Sequence, residues 1–521
     1  MEWSQDGTRL LVSGPVAQER PSIWVISLIG ATLKKLRDSA RDASLSPDGS
    51  QIVFTDAVTR EIWLMNADGG QARVWLTPKA GYLQFFPKWF RNGKRTTPTW
   101  FRNGKRILYV RYGSATGEKT VELESRDLQG GDPVTLLANP LLTEFCWGQK
   151  GRLIYAVQEP APNQYDSNLW EQRFDEETGR PQGVPRRLTD WIGFDFANPE
   201  LTADGKRFVF LNGRAQSDIF VGELTDRANT MQSARRLTLD ERSDWPGGWS
   251  FDSKTVFLYS DRNGNFDIFK QGLNSANAEP VVTGPEEKRL PQVSPDGKWL
   301  LYMQWTKPAG KVEPDSGKLM RIPLAGGPPE PVIDFSGYSG VRVMRPSPSV
   351  VGFPGFRCPP QGGGSCVLAE VRGKQVIFTA VDPIRGRTRE LIRMSNDSDI
   401  RSWDLSPNGS RVALSVYDLK AGEVRILPLD GGTPVTFSAQ PWTELFAIAW
   451  AADGRSLFLV SNNSRGTSIL RMDSAGKTKL LLEQPGRDVH ALAPSPDGRS
   501  LAFGGVQSNF NAWTIASFPR H

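Results

Sequence analysis

A turn-and-strand unit recurs along almost the whole chain, and no other feature limits the fold so strongly. One copy reads Leu45-Ser46-Pro47-Asp48-Gly49, then the apolar strand Gln51-Ile52-Val53-Phe54-Thr55, then Glu61-Ile62-Trp63-Leu64-Met65 and Asp68-Gly69-Gly70. The same grammar returns at Ser294-Pro295-Asp296-Gly297 with Trp299-Leu300-Leu301-Tyr302, at Ser406-Pro407-Asn408-Gly409 with Val412-Ala413-Leu414, and at Ser495-Pro496-Asp497-Gly498 with Leu501-Ala502-Phe503. Looser copies begin near Asp6-Gly7, Asn103-Gly104, Gln149-Lys150-Gly151, Asp204-Gly205, Asp252-Ser253 and Asp453-Gly454, and an eroded one covers residues 357–391. Most copies start roughly 42 to 55 residues apart, the period of a propeller blade rather than of a helical repeat.

Each position has a physical reason. Proline presets φ, aspartate bonds the local backbone, and glycine takes the positive φ of the turn. The strand that follows is β-branched and aromatic, as a buried strand should be. The Gly-Gly pair suits a tight primed hairpin turn, and Arg187-Leu188-Thr189 and Arg236-Leu237-Thr238 supply outer strands. These units predict an all-β fold: a β-propeller of about eleven four-stranded blades. Eleven exceed the four to eight of one ring, so two tandem propellers are expected. The division placed here is 1–239 with about five blades and 240–521 with about six. Ala512-Trp513-Thr514-Ile515 reads as the third strand of the last blade, and an earlier segment must supply its missing outer strand. Met1-Glu2-Trp3-Ser4-Gln5-Asp6-Gly7 begins inside a repeat, which predicts a fragment or a misassigned start codon.

Composition narrows the functional classes. With 17 Trp and 26 Phe spread over 521 residues, the chain has core-forming material throughout. A net charge of +6 over so large a surface is no nucleic-acid footprint, and no nucleic-acid partner is expected. No run of eighteen apolar residues is present to span a membrane, and Ile23 to Ile29 is too short and lacks the flanks of a signal peptide.

Few residues suggest chemistry. Cys358 and Cys366 stand in a Gly/Pro-rich loop and are expected to form a disulfide, while Cys146 beside Trp147 reads as a buried small hydrophobe. No Cys-x-x-Cys or His pair suggests zinc, and no metal or cofactor is expected. Of the two histidines, His521 is the last residue and His490 falls in an innermost strand, where a structural role is expected. Gly-x-Ser-x-Gly occurs nowhere, and no catalytic residue is nominated. Asp48, Asp204, Asp296 and Asp497 read as turn formers, and Asp218 and Asp267, each before Ile-Phe, as structural. Residues 88–111 hold eight Lys/Arg and no acid, because Trp89-Phe90-Arg91-Asn92-Gly93-Lys94-Arg95 recurs as Trp100-Phe101-Arg102-Asn103-Gly104-Lys105-Arg106. A duplicated blade turn explains this cluster better than a nucleic-acid grip does.

Ser-x-Asp-Gly, a hydrophobic strand, Ser260-Asp261-Arg262-Asn263-Gly264-Asn265, Asp267-Ile268-Phe269 and a later Arg-Leu-Thr together resemble the TolB-type propeller repeat over essentially the whole chain. Arg357-Cys358-Pro359, Cys366-Val367-Leu368, Asp382-Pro383 with Gly386-Arg387, and Asn511-Ala512-Trp513 resemble propellers at the carboxyl end of bacterial winged-helix or Ser/Thr-kinase sensory proteins. The resemblance implies an extracytoplasmic sensing or protein-binding module, and divergent loops on a repeated scaffold lead to the expectation of a non-enzymatic module that binds a protein, a peptide or a small ligand. This chain lacks the kinase glycine loop and any recognisable winged helix, so no regulatory activity carries over. Residues 338–364, rich in Gly, Pro and Ser, are the first suspect for recognition. The alternatives are the propeller part of a prolyl-oligopeptidase or tricorn-like peptidase without its hydrolase domain, and a lyase or glycosidase acting at the channel mouth.

Overall fold

The computed structural model describes residues 2–516 except Gln5, 15–20, 78–81, 85–98, Arg102, 114–119, 161–165, 203–204, Arg227, Ser233, 306–315, 337–354, 361–363, Lys374, 396–399, 417–421, 464–465 and Gly486. Every helix or strand among the described residues is a β-strand, and the strands form ten sheets, eight of them four-stranded. In those eight the strands pair in chain order. The fold is a β-propeller.

The repeated turn shows why its residues recur. Ser294 Oγ donates to Asp296 (2.5 Å) and accepts from the Trp299 N–H (3.0 Å), while Gly297, at φ 70°, donates its N–H to the Ser294 carbonyl (2.9 Å). The same bonds join Ser46, Asp48 and Gln51 (2.6 and 2.9 Å), Ser406, Asn408 and Arg411 (2.8 and 2.9 Å), and Ser495, Asp497 and Ser500 (2.6 and 2.9 Å). Serine is therefore as much part of the turn as Asp-Gly. The donated hydroxyl is the largest influence on Asp48 and Asp252, and it holds both carboxyls below their ordinary range.

Among the described residues the chain divides into two compact units, one from residues 1–214 and from 510 onward, the other from residues 215–509. The two units meet at 214/215, inside the long strand Phe208–Thr225, whereas the sequence placed the division at 239/240. The reason is ring closure. In the second unit, the inner strand Asp488–Pro494 pairs with the first part of Ser500–Ile515. Residues 215–225 lie beside that strand, and Arg235–Arg236 forms the outer edge. The Leu224 N–H donates to the Arg499 carbonyl (2.8 Å), and Phe220 stacks on Phe503 with centroids 5.7 Å apart. An earlier segment does complete the last sheet, supplying two of its strands. Residues 512–515 are not that sheet's third strand. They belong to the first unit, where Trp513 meets Phe194 edge-on (5.5 Å) and Ile515 packs beside Phe196, Phe208 and Phe210.

Neighbouring sheets hide each other's apolar faces. In the second unit, Asp244–Trp249 runs against Glu287–Val293, and Leu301 and Met303 pack on Phe356 and Leu368. Next, Val367 and Phe378 meet Trp403 and Leu414, and Ala413 and Val424 meet Leu445 and Leu459. Phe458 and Ile469 then meet Val489 and Phe503. Finally Ile219 and Ala502 meet Trp249 and Leu258 of the first of these sheets. Six sheets close into a cycle. In the first unit five sheets follow one another through Leu11 and Ile23 on Ile52 and Phe54, Val53 and Leu64 on Ile107 and Tyr109, Leu108 and Val110 on Leu153 and Tyr155, and Ile154 and Ala156 on Phe196 and Phe208. Its first sheet starts with the two-residue strand Glu2–Trp3 paired to Leu10 and Leu11.

Ser294→Ala leaves the Trp299 N–H without its acceptor in a site where Ser294 is 0% exposed. It should destabilise the second unit by about 1–3 kcal/mol, read as a lower urea midpoint at unchanged slope.

Candidate functional site

The first strand of each sheet in the second unit faces a central channel. These strands are Asp244–Trp249, Glu287–Val293, Gly355–Arg357, Ile400–Leu405, Leu445–Trp450 and Asp488–Pro494, and residues from all six line a cavity of about 120 Å³. Phe251, Pro407, Ala452 and Pro496 come from the turns after the inner strands, so the cavity sits at the end where the repeated turns gather. The channel is kept narrow by small residues. A Cβ on Gly247 would stand 2.4 Å from the Pro291 ring, so only glycine lets these two strands approach so closely. The inner strands also bulge, with Leu290 (φ 56°) and Ala491 (φ 46°) forced into the left-handed region at the register shifts.

Polar groups join the inner strands to one another. The Trp249 indole N–H donates to the Ala493 carbonyl (2.7 Å). Gln292 Oε1 accepts from the Cys358 N–H (2.7 Å). Arg357 Nε donates to Asp404 Oδ1 (2.9 Å), and Asp404 Oδ2 accepts from the Trp450 N–H (2.7 Å). Arg357 and Asp404 are the two charged residues in the described lining, and they neutralise each other. Burial lowers the Arg357 pKa and raises that of Asp404, in each case outweighing the attraction of the partner. Guanidinium stays charged regardless. Arg357 Nη1 donates to the Phe356 carbonyl (3.2 Å), and Nη2 has no partner among the described residues. Trp450 is buried, and its indole N–H has no hydrogen-bond partner among the described residues.

Other singled-out residues fall elsewhere. The structure joins Cys358 and Cys366 in a disulfide (Cα–Cα 4.1 Å), and Cys358 lines the cavity next to Arg357. Cys146 is a buried free thiol in an apolar cluster, its pKa raised by burial. His490 lies in the inner strand Asp488–Pro494 with its ring 6.3 Å from Trp245; burial lowers its pKa to about 4, so it is neutral at pH 7. Asp48, Asp296 and Asp497 sit in turns, and Asp204 lies outside the described residues. Asp218 binds Arg236 (2.6 Å), and Asp267 binds the buried Lys288 (2.9 Å). Of the duplicated segment, Trp89 to Arg95 lies outside the described residues. In the second copy Phe101 is fully buried, and the Trp100 indole donates to the Ser44 carbonyl (3.3 Å). Most of residues 338–364 also lies outside.

Sequence reading missed Arg357–Asp404, whose partners are 47 residues apart in different repeats. It also missed Asp244, which is 0% exposed. One of its oxygens takes Arg262 (3.0 Å), while the other has no partner among the described residues. Burial, with the nearby Asp240 charge added, pushes its pKa up to about 7.

No family profile and no curated sequence matches the chain. Among solved structures, a putative TolB from Agrobacterium tumefaciens is similar at 17% identity, over 56% of this chain and 99% of that one, with a TM-score of 0.40. An oligogalacturonate lyase in complex with manganese is similar at 12% identity over 73% and 87%, TM-score 0.32. The tricorn protease is similar at 12% over 95% and 46%, TM-score 0.26. Such likenesses assign neither substrate nor partner.

Because the folded carboxyl of Asp244 titrates above its unfolded value, the folded state holds a proton that the unfolded state has released. Stability is therefore lost as pH rises from about 4 towards 7. Asp244→Asn should flatten that slope and leave the protein more stable than the parent at pH 8, by roughly 1–4 kcal/mol, measured by thermal unfolding across pH. Cys358→Ser with Cys366→Ser should cost about 2–3 kcal/mol under oxidising conditions and nothing beside a reduced parent, measured by denaturant unfolding with and without reductant.

Proposed function

We propose that the chain is a non-enzymatic propeller that binds part of a protein, a peptide or a small ligand in the channel of its second unit. The carrying observation is the state of Asp404. Both of its oxygens already hold donors, Arg357 on one and the Trp450 N–H on the other, so it is not poised as a general base. Arg357, which lines the cavity, nevertheless keeps a donor that no described residue claims. A small, mostly apolar pocket with a few fixed polar groups is built for recognition.

In this reading the protein is the sensory or interaction portion of a larger bacterial signalling protein, in an extracytoplasmic compartment. The disulfide at Cys358 and Cys366 supports the compartment, since such bonds persist where the environment is oxidising.

Ala452, partly exposed at the cavity rim, gives a test. Ala452→Trp should weaken binding of a selected peptide or small ligand by about tenfold or more, with the unfolding temperature unchanged, in calorimetric titration. Turnover of any member of a peptide or oligosaccharide library by the purified parent would instead favour a peptidase or lyase reading and sink this one.

A further inference from the structure

We propose that the channel cavity selects an uncharged hydrogen-bond acceptor, such as an amide carbonyl carried on a flat apolar group, and that Asp404 is the residue that turns carboxylates away. This rests on the channel-binding reading above and names the chemical class it admits.

A lone buried guanidinium would attract any carboxylate with a strong, two-pronged ion pair. Here that attraction is already spent. Arg357 Nε is held by Asp404 at 2.9 Å, and the pair, 13% and 17% exposed, brings no net charge to the lining. A second carboxylate brought to the remaining Nη2 would lie close to the Asp404 charge in a poorly screened space, where like charges repel strongly. A neutral carbonyl meets no such penalty. It would complete the hydrogen bonding of Nη2, which the described residues leave open. Trp249, Phe251, Tyr259 and Trp450 in the lining suit a planar apolar body. At about 120 Å³ the space holds a group the size of one ring or one residue end rather than a drug-sized molecule.

Asp404 is also fixed too firmly to move aside. Its second oxygen is bonded to the Trp450 backbone on the next inner strand (2.7 Å), and Arg357 is followed directly by Cys358, whose N–H is tied to Gln292 (2.7 Å). The neutralising charge thus stays where an incoming carboxylate must pass it.

Fluorobenzamide and fluorobenzoate share a shape and differ in charge, which makes them the probes, with binding followed by fluorine NMR line broadening. The intact protein should bind the amide at least about tenfold more tightly than the acid, and Ala452→Trp should abolish the difference by blocking entry. Asp404→Asn keeps an acceptor for Arg357 but removes the charge, and should bring the acid to parity with the amide or above it. If neither probe binds the folded parent, the channel-binding reading falls and this inference falls with it. If the parent binds the acid as tightly as the amide, the channel reading stands and this inference alone is overturned, a result that needs no variant. An unchanged ranking in folded Asp404→Asn, checked by its thermal transition, would also overturn the role given to Asp404.

Discussion

A twisted four-stranded sheet with two apolar faces is not stable by itself, and everything in the second unit follows from the need to cover both. Each cluster of buried side chains there belongs to two sheets. Phe378 of one lies edge-on to Trp403 of the next, at 5.4 Å, and Ile219 and Ala502 reach Trp249 and Leu258 to finish the cycle. With each buried Leu, Val or Phe contributing about 1.5–3 kcal/mol, an unclosed ring would expose two such faces at once. Closure is met by one composite sheet. Strands from the two ends of residues 215–509 interlock there, so the seam is held by backbone pairing as well as side-chain packing.

Much of this fold was legible in the sequence because its turns are local. Ser-x-Asp-Gly needs only its own neighbours to form, so the same bonds appear at Ser46, Ser294 and Ser495 whatever surrounds them. The division of the chain was not legible. Residues 204 to 238 read as one continuous repeat, and nothing local says that residues up to 214 and residues from 215 belong to different units. Likewise Leu501-Ala502-Phe503 and Ala512-Trp513-Thr514-Ile515 read as two strands of one blade, whereas they are parts of one long strand whose two ends belong to different units.

The channel was still less visible. Arg357 occupies the inner-strand end where Trp249 and Trp450 stand in other repeats, and its partner comes from the next repeat along. Residues in one repeat cannot predict what faces them across a ring, since that is set by the order of closure and not by spacing. The buried acids divide on the same ground. Asp267 has a lysine and an asparagine on its two oxygens, whereas Asp244 has Arg262 on one oxygen and no partner among the described residues on the other.

The composite sheets also carry a consequence for biosynthesis. The first unit is largely made by residue 214, yet its fifth sheet includes strand residues 510–515, and the second unit waits for residues 500–509. A ribosome releasing this chain from the amino end must therefore deliver residues 500–509 before the second unit can close. Until then, strand edges that the finished protein hides stay open to wrong partners. Completion is a contact of high sequence separation, the kind that slows folding. Loss of residues 500–515 would remove the seam strand of the second unit and, with Trp513 and Ile515, part of the packing on Phe194 and Phe196 in the first.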